Sequence, residues 1–177
     1  AAALAAPTID LASGSGLSHG GASLVGVAAA ELVVVVPDNA AIRQVLLYWA
    51  GGSVAATGDD QISLDGVAID GQLIGGPTWF YNYLSSDYRF SAYRADITGL
   101  DLVGPGANVL TVAGFDFASA AIDENDGASV VVIWDDGTQA GIQLRDGLDM
   151  AYFGFEGVLN ETVPQTFAVT PAASDRL

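Results

Sequence analysis

At 177 residues, with 21 acidic residues against five arginines and no lysine, the chain carries a net charge of −16, which excludes nucleic acid and anionic membrane surfaces as partners. Nothing in it would release phosphate counterions. The absence of cysteine rules out disulfides, a thiol nucleophile and thiolate metal sites.

The opening Ala1-Ala2-Ala3-Leu4-Ala5-Ala6 has the small-residue character left by signal-peptide cleavage, which points to an exported, extracellular or cell-surface protein. Residues 1–21 are rich in Ser and Gly and read as a flexible arm ahead of a single domain over 22–177. The arm holds the only histidine, His19, beside Ser18, without a scaffold to fix either as part of a triad. The longest apolar stretch, 24–36, is interrupted by Glu31 and falls short of the roughly 20 residues a membrane span needs, so no membrane insertion is expected. Its second half, 31–36, reads as a strand ending at the turn formers Pro37-Asp38-Asn39.

Two runs organise the rest, Val45-Leu46-Leu47-Tyr48-Trp49 and Val130-Val131-Val132-Ile133-Trp134. Each is an unbroken series of branched, aliphatic and aromatic residues, the signature of a strand buried on both faces. A sandwich strand ordinarily keeps one face wet, so these two require a cover on the outer side, and a neighbouring subunit would supply it. Between them, Asp65-Gly66 separates two short alternating segments and marks a hairpin. Strands are predicted at 80–84, 88–94 and 108–115, with one helical turn over 95–100. Downstream, 139–145, 150–155 and 166–170 complete the pattern. The result is an all-β chain, a jelly-roll-like β-sandwich of roughly ten strands with little helix.

The strings Leu47-Tyr48-Trp49-Ala50-Gly51, Tyr93-Arg94-Ala95-Asp96-Ile97-Thr98 and Asp126-Gly127-Ala128-Ser129-Val130-Val131-Val132 resemble a family of uncharacterised secreted β-sandwich domains in bacterial and archaeal surface and fimbrial-type proteins. The resemblance spans roughly residues 40–171 and implies fold and location, with no functional residue carried over. Such domains have at least one more strand after the position of Ser174-Asp175-Arg176, which implies an open edge here.

Three groups of residues are candidates for function. Asp123, Asn125 and Asp126 offer oxygen ligands for Ca²⁺ from a polar loop, against the plainer reading of a turn; Asp59 and Asp60 are a sparser pair of the same kind. In the aromatic run, Trp79, Tyr81, Tyr83 and Tyr88 form either a glycan-stacking face or strand core. Leu24, Val25, Val27, Leu32, Val33, Val34, Val35 and Val36 are the expected subunit contact. The segment 23–36 that holds them is either the first strand of its own sandwich or a strand exchanged with a neighbour. Asn160-Glu161-Thr162 is an N-glycosylation acceptor pattern. No catalytic constellation emerges, so the expectation is a non-catalytic structural subunit that self-associates into a homopolymer through non-covalent strand pairing, with a carbohydrate-binding or adhesive module as the alternative.

Overall fold

The computed structural model describes residues 9–54, 58–83, 85–116, 124–138 and 140–168. Among them are nine strands: β1 (Gly16–Ser23), β2 (Ala29–Val36), β3 (Ala41–Ser53), β4 (Gln61–Leu64), β5 (Val67–Asp70), β6 (Gln72–Tyr83), β7 (Ser86–Asp96), β8 (Gly106–Ala113) and β9 (Glu124–Asp135). They form a β-sandwich of two antiparallel sheets, one five-stranded in the order β1-β9-β3-β7-β6 and one four-stranded in the order β2-β8-β4-β5. No helix among the described residues is long and apolar enough to cross a membrane.

The two organising runs lie side by side at the centre of the five-stranded sheet, with Val45 opposite Val132 and Leu47 opposite Val130. Their inward residues, Val45, Leu47, Trp49, Val130 and Val132, meet Leu32, Val34, Val36, Ile62, Leu64, Leu110 and Val112 of the other sheet in one core. The hairpin forms as the sequence predicts: Leu64 pairs with Val67 around Asp65 and Gly66, whose φ values of 49° and 81° are those of a type I′ turn. Pro77 falls in β6, an edge strand broken by register shifts, where a missing N–H leaves no ladder bond unmade. The predicted helical turn is a single 3-10 turn at Thr98–Leu100.

Two expectations are corrected. The stretch read as a flexible arm contains β1, paired with β9 along its whole length from Gly16↔Trp134 to Ser23↔Gly127. Its glycines are there for close approach: a Cβ on Gly20 would lie 2.0 Å from the Val33 carbonyl oxygen, and one on Gly16 2.3 Å from the Trp134 ring. The strands predicted at 139–145 and 150–155 do not exist among the described residues; 140–168 has no strand, only a 3-10 turn at Gly157–Leu159. The segment predicted at 166–170 is without strand to 168 and lies outside the described residues beyond that. Burial nonetheless alternates residue by residue from 141 to 150. This segment lies across a sheet, pressing alternate side chains onto it, and makes no ladder of its own.

Candidate interaction surfaces

The outer face of the five-stranded sheet carries Leu46, Tyr48, Ala92, Arg94 and Ile133, and the chain covers this face itself. At one end residues 9–15 cross it: Gln44 Nε2 donates to the Asp10 carbonyl, and the Ala12 N–H donates to Gln44 Oε1, each at 3.0 Å. Gly14 packs against Ile133 and Ile142. Further along, Leu148 sits over Gly75, and Phe155 meets Phe80 edge to face at 5.3 Å. At the centre, Arg94 Nη1 donates to Asp146 Oδ2 at 2.5 Å and Nη2 to Gln72 Oε1 at 2.9 Å. The ion pair is enclosed, with side-chain exposures of 7 and 9%. Tyr48 completes the cluster; burial, then the neighbouring Asp146 charge, raises its phenol well above the ordinary value. Its oxygen is buried without a hydrogen bond of good geometry, although both Asp146 and Arg94 stand close enough to bear on its charge. The cover that the unbroken apolar runs demand is therefore intramolecular.

The four-stranded sheet is different. Val33, Val35 and Val109 on its outer face are 54, 63 and 55% exposed, and Val33 pairs directly with Val109. Ala107 lies opposite Val35, and the exposed Glu31 lies opposite Thr111 at the margin. Nothing in the described chain covers this patch. Of the residues expected at a subunit contact, Leu32, Val34 and Val36 are core instead, because β2 pairs with β8 of its own chain and alternates in and out, and Leu24, just after β1, is core as well. Val25, Val27, Val33 and Val35 are the exposed half of that set. Of the two roles open for 23–36, the structure shows a strand in its own sandwich. On the opposite side of the molecule, the covering segment leaves Phe153 86% exposed, with its ring 4.8 Å from that of Tyr152.

The aromatic run turns largely inward. Tyr88 is buried, its ring 5.1 Å from that of Tyr81, and Phe80 and Phe90 contact each other edge to face. The Tyr83 side chain lies outside the described residues. Trp79 is 42% exposed and so stands apart from this cluster. Trp79→Ala should consequently cost less than about 1 kcal/mol, the ordinary cost of a surface substitution, seen as an unchanged midpoint in urea unfolding.

The acidic candidates separate. Asp123 lies outside the described residues. Asn125, at the start of β9, is buried and donates from Nδ2 to Asp59 Oδ2 at 3.2 Å. Asp126 points to the surface; partial desolvation, then the adjacent Glu124, push its carboxyl up to about 6. Asp59 also accepts the Asp116 N–H at 2.9 Å, and its backbone carbonyl accepts Trp49 Nε1 at 2.7 Å. Burial holds the Asp59 carboxyl above its ordinary value, the two hydrogen bonds only partly offsetting it. Sequence reasoning named Asn125 and Asp59 as members of two separate candidate groups, but not their pairing across 66 positions. His19 is exposed on β1, and Ser18 is a structural partner, accepting from Trp134 Nε1 at 3.0 Å. No family model, curated protein or solved structure matches the chain.

Proposed function

We propose that this chain is a non-catalytic structural subunit of an extracellular filament or surface assembly, self-associating through the bare outer face of its four-stranded sheet. The observation that carries the reading is the asymmetry of the two outer faces. One is sealed by the chain's own segments, whereas the other presents Val33, Val35 and Val109 side by side to solvent. A contiguous apolar patch rimmed by polar residues is the mark of an interaction site. A second copy fits it, because Phe153 and Tyr152 project from the opposite side of the sandwich. Joining one side of a subunit to the other side of the next is heterologous and generates an open polymer. The joint is face to face, since the inward side chains of β2 already fill its own core. The extracellular setting rests on the resemblance to secreted surface domains.

The experiment is light scattering behind size exclusion on the wild type, Val33→Glu and Val109→Glu. The wild type should give concentration-dependent large species, favoured by salt because screening weakens the repulsion between copies of charge −16. Either glutamate should leave a monomer with an unchanged melting temperature, as both positions are exposed. A monomeric wild type at all salt concentrations, or variants that assemble normally, would refute the reading. With no lysine to supply an amine, the joints contain no Lys-Asn isopeptide bond, and boiling detergent should reduce any polymer to the bare chain mass. A ladder persisting in the gel would contradict non-covalent joining.

The second reading, a carbohydrate-binding or adhesive module, rests on the exposed indole of Trp79 alone among the described members of the aromatic run.

A further inference from the structure

We infer that the end of the sandwich where Asp59 meets Asn125 is a site for a hard divalent cation of the Ca²⁺ class. The inference is independent of how subunits join. Two separate observations lead to it.

The first is a buried carboxylate with no positive partner among the described residues. Asp59 is 6% exposed, and the charges nearest its carboxylate are Asp60 and Asp116, both of the same sign. The described arginines are engaged elsewhere. Arg43 pairs with Asp135, Arg89 with Asp87 and Arg94 with Asp146, while Arg145 lies over the Phe167 ring. The chain has no lysine. Two N–H donors only partly offset the cost of burying this carboxylate, and a bound cation would remove the remainder.

The second observation is the amide of Asn125. The residue is 2% exposed and its nitrogen is committed to Asp59, yet its oxygen Oδ1 is buried with no hydrogen-bond partner among the described residues. Gly51 stands opposite, and a Cβ there would come within 2.9 Å of that oxygen. Glycine keeps the oxygen from being crowded. An orphaned buried acceptor beside a carboxylate that no described cation pairs with offers a pair of hard oxygen ligands.

Asp59 and Asn125 are the residues we assign as ligands. Asp60 and Asp116 add charge that favours the ion, and water fills the remaining positions that Ca²⁺ prefers. A cation there would tie together three connections: the approach to β4, the exit from β8 and the start of β9. Trp49, bonded through its indole nitrogen to the Asp59 carbonyl, places a sensitiser beside the site.

The test titrates the full chain with Tb³⁺ and reads emission sensitised through tryptophan, followed by displacement with Ca²⁺. A saturable signal is expected that Ca²⁺ displaces, that persists in the control Asp38→Asn, and that is lost in the nearly isosteric Asp59→Asn. Ca²⁺ at about a hundredfold over its Kd should raise the wild-type melting temperature by roughly 5 to 10 °C. Equal emission from wild type and Asp59→Asn, meaning diffuse attraction to an acidic surface, would overturn the assignment. Should Asp59→Asn fail to fold, the wild type decides alone: no thermal shift with Ca²⁺ and no added hydrogen-exchange protection at 124–126 would equally overturn it.

Discussion

Asp146→Ala is expected to destabilise the protein by about 3 to 5 kcal/mol, the range for removing one partner of a buried ion pair. The reason is the charge left behind. Arg94 is 7% exposed, and with Asp146 gone its remaining side-chain partner is the neutral Gln72, which compensates no charge. Tyr48 cannot help, since a phenol held well above its ordinary value stays protonated and supplies no anion at neutral pH. The pair also fastens the covering segment to the sheet, so its loss should expose Leu46 and Ile133, both otherwise buried. Urea unfolding measures the first effect and limited proteolysis within 140–168 the second. Arg94→Met combined with Asp146→Leu should recover most of the stability, because it removes both charges and retains volume. A single variant with an unchanged midpoint and unchanged protease resistance would show that the segment is not held in this way.

Trp49→Ala should cost a similar 3 to 5 kcal/mol, roughly the value for truncating a large buried aromatic. Trp49 is 2% exposed, stacks on Tyr93 at 5.7 Å, and has Gly71 against its ring, where a Cβ would come within 2.4 Å. Alanine there would open a cavity and orphan the Asp59 carbonyl together. Trp134, expected from the sequence to be equally central, is only half-buried at the margin of the core. Trp134→Ala should therefore cost distinctly less in the same unfolding series. Equal losses at the two positions would contradict the placement of these strands relative to the core.

These residues show where the sequence was legible. Unbroken apolar runs flanked by turn formers marked β3 and β9, and a type I′ dipeptide marked the β4–β5 hairpin, because both signals are local. The requirement for an outer cover was also readable, since no polar residue interrupts the runs. What supplied it was not. Residues 141–150 alternate like a strand, and periodicity reports only which side chains face an apolar surface, not whether the backbone joins a ladder. The error over β1 has the opposite origin: Gly and Ser usually signal looseness, but here Gly16 and Gly20 permit contacts with Trp134 and the β2 backbone that a side chain would forbid. Half of the expected subunit contact became core, three of its four residues through the in-out alternation of β2, a property visible only once its partner is known. Asn125 stood out as a polar loop residue. So did Asp59, as a sparser candidate, but that the two meet is a long-range pairing for which the chain holds no local sign.

The measurement that bears most directly on self-association is photo-crosslinking from Val35, replaced by a benzophenone amino acid, with the crosslinked peptides mapped by mass spectrometry. Head-to-tail joining predicts intermolecular links from position 35 to the exposed Tyr152 and Phe153 of another copy, disappearing when Val33→Glu is added. Absence of intermolecular links under conditions where large species form, or links only from position 35 to position 35, would contradict it.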